Sequence, residues 1–363
     1  MKVLFACGGS GGHVTPALAI AEMLTRQHSE VSIAFVGNEN GIERRMVKDV
    51  GYPFYPIAIE GLHRSLTFRN FRTLALAAKA PFRARAILKA FSPDLVVGTG
   101  GYVSYPMIPA AKKMGIPTAL YEPNAVPGLS VRLTEKHADR ILLQFEGCAS
   151  HLKYKERVRV VGAPLRKSFA TQRREEARRR LGLSGSDFVV LCFAGSLGAE
   201  RISDAAMGAF FPLQERGITM IHATGRRLFD GLKKEFPELC RRRRLLPYIN
   251  DMACYMAAAN VIVCRAGAMT LAELSQVGRA AVLVPSPYVA ENHQEKNARL
   301  YEDAGGALII PESRLCAETL FERILFLKEN PNLLSAMEKN AASLCDGNAE
   351  KRILQALSEI VDF

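Results

Sequence analysis

The chain has 363 residues, 48% of them apolar, which suits two domains of roughly 100–200 residues each with ordinary hydrophobic cores. No run of eighteen apolar residues occurs, which excludes a membrane-spanning helix, and Met1–Ala6 leads into a glycine loop with no cleavage site, as expected of a chain that stays in the cytoplasm. The net charge is +12, and residues 1–162 hold 21 Lys+Arg against 12 Asp+Glu, so the first half is expected to meet phosphate, nucleic acid or an acidic membrane.

Short apolar runs punctuated by glycine predict strands at Val3–Cys7, Val31–Val36, Leu95–Val97, Thr118–Tyr121, Ile141–Gln144 and Val158–Val161. Amphipathic stretches at Ala17–Arg26, Ile42–Val50 and Phe68–Phe91 predict helices between them. A Gly/Pro joint, residues 162–166, then precedes the charged stretch Gln172–Arg180, expected to be a solvated surface helix rather than a nucleic-acid patch. The same reading applies to Arg241–Arg244. The rhythm restarts with strands at Phe188–Phe193, Met220–His222, Val261–Cys264, Val282–Val284 and Ala307–Ile309. Strand–helix alternation predicts an α/β chain with parallel sheets covered on both faces. Eight scattered cysteines without a CxxC pair read as buried reduced thiols rather than zinc ligands or disulfides.

Three glycine-rich loops each follow a strand: Gly8–His13, Gly98–Ser104 and Gly195–Ala199. Glycine lets backbone N–H groups approach a ligand closely, and a helix N-terminus beyond it favours phosphate. Dinucleotide redox chemistry needs GxGxxG, but residues 8–13 read GGSGGH, and Glu30 closes a polar turn rather than a strand. A P-loop fails because no Gly-Lys-Ser/Thr follows. His13, at the mouth of a glycine loop, stands where open α/β proteins bind ligands and could take a proton from a hydroxyl; capping the turn is its structural alternative.

The segments GGSGGHVTPALAIA, GTGGYVSYP, YEPNAVPGL, VGAPLR, AGSLGA, YINDM, CRAGAMTLAE and VPSPYVAENHQEKNA resemble, in order and spacing, those of the MurG-type transferases of glycosyltransferase family 28. The resemblance runs from Lys2 to the C-terminus. It implies a GT-B fold, two Rossmann-like doubly wound domains facing a cleft. Residues 1–162 would form the acceptor and membrane-docking domain, joined by a returning C-terminal helix at about 345–363, and residues 163–344 the UDP-GlcNAc domain. The implied reaction is inverting transfer of GlcNAc from UDP-GlcNAc to undecaprenyl-pyrophosphoryl-MurNAc-pentapeptide in peptidoglycan synthesis. No cofactor is implied, and no Asp-x-Asp motif is present, though a divalent ion stays open.

On the donor side the resemblance implies Arg166 and Ser196 at the diphosphate and Ile249 at the uracil. Ala268, Met269, Thr270, Leu271 and Ala272 would lie along a helix under the phosphates, with Glu273 at the ribose and Gln294 at the sugar. Ser10, Gly11 and Gly12 of the first loop and Asn124, which would reach the bound sugar, are also implied as donor-binding, and His13 would be the base. Gly100, Gly101, Tyr102 and Glu122 would serve the acceptor. Pro123, Ala163, Leu197 and Ala266 depart from the family's common residues, which bears on polar contacts rather than reaction class. A catalytically silent UDP-sugar scaffold and a GT-B transferase with another acceptor are the alternatives.

No acid lies between Glu60 and Asp94. Leu66, Phe68, Phe71 and Phe82 interleave there with Arg69, Arg72, Lys79 and Arg83, as an interfacial surface requires, although part of the helix face must also be core. The expected partners are the lipid-linked muropeptide, an anionic membrane at its cytoplasmic face and other cell-wall synthesis or division proteins. No nucleic-acid partner is expected, since no RNA-binding motif accompanies the patch.

Overall fold

The computed structural model describes residues 1–61, 69–194, 199–289 and 292–363, with the side chains of 69–72 and 74–75 also left aside. Leu66, Phe68 and Ser196 lie outside the described residues, as do the side chains of Arg69, Phe71 and Arg72.

The chain divides into two compact units, Met1–Arg166 with Gly347–Phe363, and Lys167–Asp346. Unit 1 holds a parallel sheet of β1 (Lys2–Ala6), β2 (Ser32–Gly37), β3 (Phe54–Pro56), β4 (Leu95–Gly98), β5 (Thr118–Glu122), β6 (Arg140–Leu143) and β7 (Val158–Val160). Their order among the described residues is β3-β2-β1-β4-β5-β6-β7. Unit 2 holds β8 (Phe188–Phe193), β9 (Ile218–Ala223), β10 (Leu245–Leu246), β11 (Val261–Cys264), β12 (Ala280–Leu283) and β13 (Ala307–Ile309), in the order β10-β9-β8-β11-β12-β13. Each unit is therefore doubly wound, and its strand order reverses once, between β1 and β4 or between β8 and β11.

The strands are apolar without alternation because both faces are covered. Val3 and Phe5 of β1 pack into one core of unit 1 with helix Gly11–Gln27 and the C-terminal helix, while Leu4 and Ala6 pack into the other. In unit 2, Val189, Leu191 and Phe193 of β8 face one core, and Val190 and Cys192 the other. Three elements differ from the sequence expectation. β3 and β10 are edge strands too short to show a period, and β3 ends on Pro56. Helix Gly11–Gln27 begins six residues before Ala17, since Pro16 forfeits only one backbone bond near its start.

The C-terminal helix Ala349–Ser358 buries Ile353, Ala356 and Leu357 against unit 1. Glu359 beyond it accepts from Arg140 Nε (2.7 Å) and from Arg159 Nη2 (2.6 Å), and Arg352 Nε donates to the Val161 carbonyl. The charged stretch near 172–180 is not wholly a solvated helix. Helix Arg174–Arg180 buries Arg178, whose guanidinium donates to the Ala258 and Gly185 carbonyls and to Asn260 Oδ1. It thereby satisfies a carbonyl at the end of helix Met252–Ala258 that would otherwise be orphaned.

In unit 2, His222 on β9 is completely buried. Its Nδ1 lies 3.1 Å from the Cys192 carbonyl, which can only accept, so Nδ1 carries the proton and Nε2 accepts from Ser203 Oγ at 3.1 Å. Burial pushes this imidazole down to about 4, only partly offset by the Cys192 hydrogen bond. A histidine depressed in the folded state adds stability that is complete above its unfolded value of ~6.5 and is lost as pH falls toward 4. Thermal unfolding from pH 7 to pH 4 is expected to lose on the order of 3 kcal/mol at this residue. His222→Gln, though less stable at pH 7, is expected to show a shallower pH slope than the wild type; equal slopes would remove the assignment.

Candidate functional site

Ligands of open α/β sheets bind beyond the carboxyl ends of the strands where the order reverses. In unit 1 that point lies between β1 and β4, whose carboxyl ends lead into the glycine loops 7–10 and 99–103.

The first loop ends at Ser10, an extended residue at the start of helix Gly11–Gln27. The first turn holds no acid and no capping side-chain bond, so Gly11 and Gly12 present the positive end of the helix. His13 lies in that turn, with Nδ1 at 3.1 Å from the Thr99 carbonyl. The carbonyl accepts, which fixes the proton on Nδ1 and leaves the lone pair on Nε2. Thr99 Oγ1 returns a bond to the His13 carbonyl at 2.7 Å. Ser104 Oγ accepts from Gly100 N (3.2 Å) and shares its one hydrogen between the Ala6 and Gly100 carbonyls (2.9 and 3.0 Å), tying the second loop to β1. Thr99 and Ser104 are both fully buried. They are positioning residues that motif reading passes over, because glycine dominates the pattern around them.

Gly100 and Gly101 have φ of +100° and +76°. A Cβ on Gly100 would stand 2.5 Å from His13 Nδ1, and one on Gly101 would collide with the Gly8 carbonyl. Glycine at both positions is thus required for the imidazole and the first loop to fit.

Glu122, at the carboxyl end of β5, is 2% exposed. Its carboxylate accepts from Asn124 N (2.9 Å), Asn124 Nδ2 (2.9 Å) and Gly128 N (2.7 Å). Burial raises its carboxyl above the usual range despite those bonds. The geometry makes Glu122 the anchor of the 123–128 turn, with Asn124 held beside it, rather than a group presented to a ligand. Tyr102 is half-buried against the first loop, its hydroxyl raised first by burial and then by Glu43 and Glu60.

In unit 2, β11 feeds helix Ala268–Val277, which begins at an extended Gly267 and again lacks a first-turn acid or capping side-chain bond. Thr270 and Glu273, three residues apart, share its partly exposed face. Leu271 and Ala272 face the core, and the Leu271 carbonyl accepts the Tyr301 hydroxyl, so these two offer little beyond backbone. Ala268 and Met269 are also buried, so what they contribute at the helix start is backbone rather than side chain. Ile249 is 4% exposed and packs into the core. Gln294 opens helix His293–Asp303, and its Oε1 accepts from Ser286 N at 2.9 Å, which orients its amide nitrogen the other way. Arg265 forms a buried ion pair with Glu312 and donates to the Val284 carbonyl (3.1 Å), fixing the turn before helix Ala268–Val277. Arg166 is exposed at the end of unit 1. Among the described residues no three His, Cys, Asp or Glu side chains converge as a metal site.

Comparison with known proteins accounts for this pairing of sites. The N-terminal domain of glycosyltransferase family 28 matches residues 3–143 and its C-terminal domain matches residues 189–356. The chain belongs to glycosyltransferase family 28. It is 38% identical, over 99% of its length and 98% of the relative's, to the UDP-N-acetylglucosamine–N-acetylmuramyl-(pentapeptide) pyrophosphoryl-undecaprenol N-acetylglucosamine transferase of Acetivibrio thermocellus. The enzyme of the same name from Caldanaerobacter subterraneus is also 38% identical, covering 99% of this chain and 100% of that one. The crystal structure of Acinetobacter baumannii MurG superposes with a TM-score of 0.74 at 28% identity over 99% of both chains. Neisseria meningitidis UDP-GlcNAc 2-epimerase shares the fold, with a TM-score of 0.68 at 15% identity over 99% of this chain and 100% of that one. The fold is therefore GT-B, and the chain is a MurG-type glycosyltransferase.

Proposed function

We propose that this family 28 enzyme transfers GlcNAc from UDP-GlcNAc to undecaprenyl-pyrophosphoryl-MurNAc-pentapeptide, with inversion at the anomeric carbon. The full-length identity to transferases named for that reaction carries the reading. The placement of two glycine loops at the reversal point of the sheet in unit 1 supports it.

Unit 1 takes the acceptor. Its pyrophosphate meets the N-terminus of helix Gly11–Gln27 and the Gly100–Tyr102 loop, while Asn124 reaches the sugar. His13 Nε2 accepts the proton of the attacking MurNAc hydroxyl, the tautomer being set by the Thr99 carbonyl. Unit 2 takes the donor, with Ser196 and the N-terminus of helix Ala268–Val277 at the diphosphate, Ile249 at the uracil, Glu273 at the ribose hydroxyls and Gln294 at the sugar. The hydroxyl oxygen bonds to the anomeric carbon as the bond to UDP breaks. The departing diphosphate is stabilised by helix N–H groups and by Arg166. No residue in this scheme requires a metal.

The acceptor is a lipid, so the enzyme works as a peripheral protein at the cytoplasmic face of the membrane. Among the described residues no helix is long and apolar enough to cross a bilayer. Helix Arg69–Phe91 turns Ala80, Ala84 and Leu88 into the core and Lys79, Phe82 and Arg83 outward, with Phe82 73% exposed. That division supports contact with anionic lipid.

The test is transfer of labelled GlcNAc from UDP-GlcNAc to the lipid-linked muropeptide, with UDP-GalNAc and UDP-glucose in parallel. Transfer from UDP-GlcNAc alone is expected. Donor binding without transfer would instead favour another acceptor or a scaffold.

A further inference from the structure

Beneath the first glycine loop lies a carboxylate that the mechanism does not use. Glu43, in the first turn of helix Ile42–Val50, is completely buried. Its Oε1 accepts from Asn38 N at 2.9 Å, and its Oε2 has no hydrogen-bond partner among the described residues. A buried acid so sparsely bonded is costly and is retained only where the surroundings use it.

Those surroundings include three glycines from two segments, Gly8 after β1 and Gly37 and Gly41 at the end of β2 and beyond it. A Cβ on Gly8 would lie 2.7 Å from Glu43 Oε1, one on Gly37 would lie 2.5 Å from its Cγ, and one on Gly41 would overlap the carboxyl group. Asn38, fixed by Glu43 through its backbone, donates from Nδ2 to the Ile59 carbonyl (2.5 Å) and hydrogen-bonds the Tyr102 hydroxyl. The Tyr102 ring in turn backs Gly9 and Gly61, whose added Cβ atoms would stand 3.1 and 3.2 Å from it. The loop after β1, the loop after β2, the segment at 59–61 and the loop after β4 thus meet around Glu43 and Tyr102.

We infer that Glu43 is a positioning residue for acceptor binding, holding Gly8 directly and, through Asn38, the Tyr102 ring that supports Gly9. The inference rests on the reading of these loops as the acceptor site. Glu43 touches no substrate; it acts by fixing the loops that do. Removal of its side chain leaves Asn38 N without its acceptor and opens space beneath Gly8, so the loops no longer hold one spacing. The donor site, built on unit 2, does not depend on it.

Steady-state kinetics of wild type, Glu43→Ala and Glu43→Gln, with both substrates varied, test this. Glu43→Ala is expected to raise the acceptor KM by about tenfold, with the UDP-GlcNAc KM within about twofold of wild type. Glu43→Gln keeps an oxygen for Asn38 N and is expected to restore the acceptor KM to within about threefold. Calorimetric binding of UDP-GlcNAc by each variant separates misfolding from the effect sought. Equal changes in both KM values, no change in either, or a Glu43→Gln enzyme as poor as Glu43→Ala overturns the inference. A wild-type enzyme that transfers nothing to the lipid-linked acceptor overturns the acceptor reading itself, and this inference with it.

Discussion

His13→Ala is expected to lower kcat by about 10²–10⁴-fold while UDP-GlcNAc binding stays as in the wild type. The expectation follows from the tautomer. A carbonyl cannot donate, so the 3.1 Å contact from Nδ1 to Thr99 makes Nδ1 the donor and Nε2 the base. The ring cannot turn readily, because Gly100 closes on it and the Thr99 hydroxyl holds its backbone. A general base held this way contributes to the transition state more than to ground-state binding, so the loss should fall on kcat rather than on either KM. His13→Asn and His13→Gln keep a polar group but no basic nitrogen, and should be nearly as slow as alanine. Single-turnover rates with both substrates saturating make the comparison independent of binding. A His13→Ala enzyme with full turnover would remove imidazole from the base role and leave the helix N-terminus and glycine loops to do binding alone.

Much of the architecture is legible in the sequence because a strand buried on both faces shows as an unbroken apolar run. Phe188–Phe193 and Val261–Cys264 are strands with the bounds that the runs suggest. The exceptions have local causes. Phe54–Pro56 and Leu245–Leu246 are too short to carry a period, and Gly11–Gly12 look like loop until the helix they begin is seen. The candidate site was legible as motifs but not as roles. Glu122 stands in a segment that reads as acceptor-facing, yet its oxygens are occupied by the turn that follows it. Leu271 and Ala272 fall within a donor motif, but the helix period sends them to the core and leaves Thr270 and Glu273 toward solvent. Glu43 reads as an ordinary acid in the first turn of a polar helix. Its enclosure depends on Gly8, Gly37 and Gly41, and the approach of Gly8 is a tertiary contact that no local pattern announces. Arg178 likewise lies in a charged run that looks solvated. Its burial becomes intelligible only once the Ala258 carbonyl at the end of helix Met252–Ala258, the Gly185 carbonyl and Asn260 Oδ1 are seen to receive it.

Gly100→Ala is expected to cost about 10²-fold in kcat, the loss typical of displacing a reacting group by about 1 Å. Two strains combine there. The residue has φ of +100°, a region that a side chain with Cβ rarely adopts, and the new methyl would stand 2.5 Å from His13 Nδ1 and 2.8 Å from Cε1. Relief requires the imidazole to move, and movement breaks the Nδ1 contact with Thr99 that sets the tautomer. Gly101→Ala makes the contrast: its methyl meets the Gly8 carbonyl, a backbone atom with no rotamer to yield, so its effect should appear in thermal stability and in acceptor binding. The decisive comparison is the double variant His13→Ala/Gly100→Ala. If the methyl acts through the imidazole, removing the ring also removes the collision, and the double variant should be no slower than His13→Ala by itself. Rates that multiply would mean that Gly100 contributes to turnover by another route, such as the course of the loop that meets the acceptor pyrophosphate, and that the imidazole tolerates displacement.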